Sequence, residues 1–254
     1  KRPGEKLRAC PTWGWISADR VVHCLVEVGT VVCVRPHRVI QLRGEPRMTS
    51  TNDGPEEVEL RRRILDTARH LLVQEGYKAL SMRKIADAIG YSATSIYLYF
   101  DSKDALLHAL IHEGMMALRD RLQDAAAQHP ESPVQRLHAL CDCFVEFGLE
   151  NPEYYEIMFQ LRPERMERYP PEKYRAAREN LDFFARALNE GVEQGIFEVD
   201  DSRVSASTVW ASLHGTVSLL LADRVDVRIN PDTFIETAIR QVLRGFRAPA
   251  SSTP

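Results

Sequence analysis

The 254-residue chain contains no run approaching eighteen uncharged apolar residues, so no transmembrane helix is expected. The valines around 21–34 are bounded and interrupted by Asp19, Arg20, His23 and Glu27, which argues against a signal peptide. Cysteine is scarce. Cys10, Cys24, Cys33, Cys141 and Cys143 are odd in number and form no compact framework, which points to a reducing, cytoplasmic setting. Cys141 and Cys143 are two apart and fall on different helix faces, so they are not a redox pair. There is no GxSxG, no phosphate-cradling glycine loop and no HExxH, so neither an enzyme nor a cofactor is expected. A strong charge of one sign is also missing. The net charge of −3 excludes a uniformly basic nucleic-acid binder.

That charge is uneven. Residues 1–47 hold nine Lys/Arg against four Asp/Glu, net +5, which leaves −8 for the rest. Any nucleic-acid contact in the acidic part has to be a small local patch.

From residue 56 onward the apolar pattern is helical. Ile64, Leu65, Ala68, Leu71 and Leu72 predict an amphipathic helix over 56–75 that ends at Gly76. Ser81 can cap a helix over 82–89, Ser92 one over 93–100, and Asp101 or Ser102 a long one to about Gln128. Pro130 and Pro133 break the chain, and further helices are expected at 133–150, 152–161, 171–194, 202–222 and 232–246. No strand alternation persists. The fold class is all-α, about nine helices, with a three-helix head on a larger helical body.

The helix after Ser92 is short, and such a helix cannot stand alone in water. Ile96 and Phe100 share one face that can rest on Ile85, Ile89 and the stripe 64–72. Ala93, Thr94, Tyr97 and Leu98 are left on the other. The three-residue turn Gly90-Tyr91-Ser92 has the spacing of a helix-turn-helix, whose second helix enters a major groove about 12 Å wide. Thr94 can bond a base edge, Ala93 and Leu98 can touch a thymine methyl, and the Tyr97 hydroxyl can reach a phosphate. Ser81 and Arg83, opening the preceding helix, and Lys103, opening the next, suit phosphate. Tyr99 reads as readily as a packed aromatic, Tyr97 less so, Lys103 also reads as a solvated charge, and Leu98 as an ordinary exposed leucine.

Residues 61–110 resemble the N-terminal domain of the TetR family of bacterial transcriptional repressors. The resemblance rests on Gly76-Tyr77, SMRKIADAIG (81–90) and YSATSIYLYFDSKDAL (91–106). It implies that Ser81, Ala93, Thr94, Tyr97, Tyr99 and Lys103 occupy DNA-contacting positions; Thr94 stands where the family often has Gly. The candidate DNA-binding set is thus Ser81, Arg83, Ser92, Ala93, Thr94, Tyr97, Leu98, Tyr99 and Lys103. The division implied is a leader 1–55, a DNA-binding head 56–103, and a ligand-sensing and dimerising body 104–250.

Within the body, WASLHG (210–215) is similar to the Trp-His-Gly signature of one C-terminal subgroup of the family. Phe144, Phe147, Tyr155, Met158, Phe159 and Phe183, with Phe184, can line an apolar pocket, joined by Trp210 and His214. Each also reads as plain core. Val209, Leu213, Val217, Leu220, Phe234, Ile235, Ile239, Val242 and Leu243 spread apolar surface over the last two helices, which the resemblance makes the dimer interface. The expected partners are a double-stranded DNA operator, a second copy of the chain and a small apolar effector, with no membrane. The competing reading is a metal-responsive regulator built on His108 and His112, one turn apart with Glu113 beside them, or on His138 and Cys141.

Residues 1–47 concentrate three of the five cysteines and two of the three tryptophans without amphipathic period. Arg43-Gly44-Glu45 can be written in purine-rich codons like a ribosome-binding site before Met48. The working protein is accordingly expected to begin at Met48. The competing reading is a basic arm that attracts phosphate.

Overall fold

The computed structural model describes residues 55–161 and 171–247, and the leader expectations lie outside them. The described residues form nine α-helices, with no strand among them. The head is α1 (Pro55–Glu75), α2 (Met82–Ile89) and α3 (Ala93–Tyr97). The body is α4 (Lys103–Ala127), α5 (Pro133–Glu150), α6 (Pro152–Tyr155), α7 (Pro171–Glu193), α8 (Ser202–Leu221) and α9 (Pro231–Gly245).

Most boundaries sit where short polar residues can take orphan amides. Ser81, Ser92, Ser102 and Ser132 each accept from the N–H three residues on, and Asp201 and Asn230 do the same work for α8 and α9. Gly90 ends α2 in the left-handed region (φ 77°), where the Tyr91 N–H bonds the Ala86 carbonyl at 2.9 Å. A side chain is strained at that φ, so the tight turn depends on glycine.

Two helices differ from the sequence reading. The short helix predicted over 93–100 ends at Tyr97. The Ile96 carbonyl then accepts from both Tyr99 and Phe100, and the chain turns so that Phe100 enters the core just before Ser102 caps α4. The helix predicted over 152–161 is one α turn followed by a π turn, Glu156–Gln160.

Two apolar cores result. The head core gathers Ile64, Leu65, Ala68, Ile85, Ile96 and Phe100, with Leu106, Leu107 and Leu110 of α4 and Ile157 of the π turn. The body core runs through α4, α5, α7, α8 and α9 around Leu118, Leu140, Phe144, Phe184, Val209, Leu213 and Val217. By length and composition α8 would suffice to cross a bilayer, but Val209, Leu213 and Val217 are spent inside this core.

Five residues expected at a dimer interface are therefore placed elsewhere. Val209, Leu213, Val217, Ile239 and Leu243 are buried within the chain's own body. Val204, Ser207, Ala211, Gly215 and Leu219 form the exposed side of α8.

Candidate nucleic-acid interface and sensing core

Ile96 anchors α3 to the head core and thereby fixes what faces outward. Ser92 and Thr94 are exposed, Tyr97 is 51% exposed and Leu98 81%. Ser81 and Arg83 are exposed at the start of α2. Ala93 and Tyr99 are half-buried and pack against the head core.

Lys103 is not a plain solvated cation. Its Nζ donates to the Tyr77 carbonyl at 2.9 Å and lies 3.7 Å from the centre of the Tyr77 ring. The Tyr77 hydroxyl donates to Asp104 Oδ1 at 2.6 Å, and burial together with that bond pushes the phenol up to about 12. Several other head cations are committed as well. Arg62 and Arg69 pair with Asp66, and Lys84 with Glu75. Arg63 lies over the exposed Tyr91 ring at 5.6 Å and donates to the Ile89 carbonyl at 3.2 Å. Tyr91 was missed as a candidate, because an aromatic in a turn has no periodic signature. Its exposure beside α3 is the signal.

Head and body meet at α6. Glu113 of α4 accepts from Arg62 of α1 and, at 2.6 Å, from the Tyr154 hydroxyl. Arg69 lies 4.8 Å over the Tyr154 ring and pairs with Glu153 at 3.3 Å. Burial, reinforced by Glu113, raises the Tyr154 phenol well above its ordinary value. The next residue faces the other way. Tyr155 is buried in the body, its hydroxyl 2.8 Å from His214 Nδ1 and 3.2 Å from Ser218 Oγ.

Around His214 the structure gathers Phe144 (5.1 Å between ring centres), Phe159 (4.5 Å), Tyr155 (5.6 Å) and Trp210 (5.7 Å), and Phe184 packs on Trp210 at 5.6 Å. The other candidate ligand-binding residues point elsewhere. Phe147 is buried with Arg121 over its ring, Met158 fills the space at Gly114, and Phe183 lies under Arg186. Phe183 also borders an open groove of about 380 Å³ with Gln123, Arg136 and Glu190.

His108 and His112 carry the metal-responsive alternative. Among the described residues no three of His, Cys, Asp and Glu form a metal-holding group, and Glu113 is engaged by Arg62 and Tyr154. The metal-responsive reading finds no support.

Burial lowers the His214 pKa from 6.5 to about 4. Between those values the unfolded chain takes a proton that folded His214 refuses, so stability falls as pH falls through this window. Discounted for its partial exposure, the effect is on the order of 1 kcal/mol. His214→Leu is expected to flatten the melting temperature against pH between 6.5 and 4. An unchanged acid slope would mean that His214 is solvated.

Residues 64–110 match the profile of bacterial regulatory proteins, tetR family, and residues 137–242 that of the tetracyclin repressor-like C-terminal domain. A TetR/AcrR-family transcriptional regulator from Thermobifida fusca is 30% identical with a TM-score of 0.58, over 75% of this chain and all of that one. The chain belongs to the TetR family. The HTH-type transcriptional repressor KstR2 of Mycobacterium tuberculosis is 26% identical over 157 residues, 59% of this chain and 78% of that repressor. The fatty acid degradation regulator FadR from Bacillus halodurans shares the fold, with a TM-score of 0.57 at 22% identity over 76% of this chain and 97% of that one. TetR-family proteins are DNA-binding transcription regulators rather than enzymes, and α2–α3 is their helix-turn-helix.

Proposed function

We propose that the protein is a dimeric, cytoplasmic repressor whose two heads (56–103) bind a palindromic operator and whose body (104–250) releases it on binding a small apolar effector. The carrying observation is α3. It is anchored by buried Ile96 and turns Thr94, Tyr97 and Leu98 to solvent, the disposition that a reading helix in a major groove requires. Tyr97 is assigned to a phosphate and Thr94 to a base edge.

Gel shifts on the operator and on random duplex test this assignment. Tyr97→Ala is expected to weaken both by a similar factor, with little loss of melting temperature. Thr94→Val is expected to cost about 1–3 kcal/mol on the operator and less on random sequence. Unchanged binding by the folded Tyr97 variant, or equal losses for the Thr94 variant, would remove that residue from its role.

Dimerisation is supported by α8, which is apolar along its length yet keeps its Val204–Leu219 side uncovered by its own chain. A second copy related by a twofold axis covers such a side twice. Release is supported by α6. There Tyr154 holds α1 through Glu113 and the Arg69 contacts, while Tyr155 holds the aromatic cluster through His214. An effector favouring one arrangement of these bonds biases the position of the head.

A further inference from the structure

The cations of the head are held in two different ways. Arg62, Arg69 and Lys84 lie against the carboxylates of Asp66, Glu113, Glu153 and Glu75, which cancel their charge. Arg61, Arg63 and Lys103 lie over the rings of Phe100, Tyr91 and Tyr77 instead. Lys103 is held most closely. Its ammonium is 3.7 Å from the centre of the Tyr77 ring and donates to the Tyr77 carbonyl at 2.9 Å. The ion pairs of the described residues all join other side chains. A ring attracts a cation through its quadrupole and a carbonyl through its dipole, and neither carries net charge. The charge of Lys103 is therefore held in place without being cancelled.

The place does not favour the helix. Lys103 is the first residue of α4, where unpaired amides already make a positive end, and the macrodipole repels a cation there. Ser102 accepts from the Ala105 N–H at 3.0 Å, and Asp104 supplies the stabilising charge of the first turn. The contacts with Tyr77 offset the repulsion of Lys103. Tyr77 is itself pinned at the far end of its ring, where the hydroxyl donates to Asp104 Oδ1 at 2.6 Å. It stands in the link between α1 and α2, directly after Gly76 (φ 79°), so one residue of that link grips two successive residues of α4. Helix stability alone favours a different residue at 103; an anion outside the protein favours this one.

We propose that Tyr77 is a positioning residue for DNA binding, its ring and carbonyl holding the Lys103 ammonium ready for one backbone phosphate of the duplex. The carbonyl takes one of the three ammonium donors, the ring face accommodates a second, and the phosphate takes the third. A lysine fixed before binding avoids the loss of rotamer entropy that ordering it on DNA would bring. The inference rests on the reading of Lys103 as a phosphate contact and deepens it by naming what aims the side chain.

The test is fluorescence anisotropy of the full chain on a random duplex from about 50 to 200 mM salt, since a phosphate contact is independent of sequence. Lys103→Gln keeps a donor for the Tyr77 carbonyl but no charge. It is expected to weaken binding about tenfold at the low-salt end and to lower the slope of log affinity against log salt by about 0.9 for each head. Tyr77→Leu is expected to lose nearly as much, and Tyr77→Phe, which keeps ring and carbonyl, only about threefold. In the Lys103→Gln background both Tyr77 losses are expected to vanish, because a positioning residue acts only through what it positions. Should Tyr77→Leu not fold, the Tyr77→Phe pair reads the same coupling. Losses at Tyr77 and Lys103 that multiply, or a folded Tyr77→Leu protein at wild-type affinity, would overturn the inference and leave Lys103 its phosphate. Wild-type affinity and slope in Lys103→Gln would remove Lys103 from the phosphate and the inference with it. A wild-type chain that fails to bind the duplex would overturn the DNA reading of the head itself.

Discussion

Leu219→Glu is expected to yield a folded monomer whose operator affinity falls by about 10²–10⁴, the factor lost when two linked heads bind singly. Leu219 is 43% exposed on α8, on the side opposite the buried Val209, Leu213 and Val217. A carboxylate there meets only water in the monomer, so the melting temperature of the isolated chain should barely change. In a dimer the same carboxylate meets its twofold mate across a desolvated seam, where like charges repel and neither is paired. Ile239→Glu is the instructive contrast. Ile239 is fully buried in the body core, so a charge at that position is expected to unfold the protein rather than divide it. Sedimentation velocity with circular dichroism distinguishes the two outcomes. A Leu219→Glu protein that stays dimeric would move the interface off this side of α8.

Gly191→Ala is expected to cost about 1–3 kcal/mol, seen as a melting temperature lower by several degrees. A Cβ at Gly191 would fall inside the van der Waals envelope of the Phe197 ring, which is itself buried. The ring has little room to retreat. Phe197 bridges to Arg247, and the Glu198 N–H donates to the Phe246 carbonyl at 2.8 Å, so this corner ties the end of α9 to the link between α7 and α8. Phe197→Leu in the Gly191→Ala background should recover part of the loss, because a smaller side chain relieves the clash. Losses that simply add would show that the two residues do not press on one another.

Much of this fold can be read from local chemistry. Serine caps, Asn230, Gly76 and Gly90, and prolines at the first turns mark helix ends that depend on only a few neighbouring residues. The end of α3 was less legible, because the pull of the head core on Phe100 competes with continued helix. Nor does periodicity tell which of two apolar faces of α8 or α9 meets the chain itself, so by periodicity alone Ile239 and Val217 read as interface. In the aromatic cluster around His214, the rings are legible by type but not by destination. Phe144 and Phe147 are three apart on α5, yet one meets Trp210 and the other Arg121. The bond from Tyr155 to His214 spans 59 residues, and no local pattern encodes it.

The π turn Glu156–Gln160 follows Tyr154 and carries Phe159. A π turn carries one residue more than the α turn it replaces. Tightening it into α geometry would shift the residues at its end by one step, about 1.5 Å along the axis and 100° around it. Tyr154, ahead of the turn, would keep its grip on Glu113, while Phe159, within it, would be carried off His214. In a ratchet the spacing of the teeth fixes the stroke, and for such a tightening one tooth would be one peptide unit.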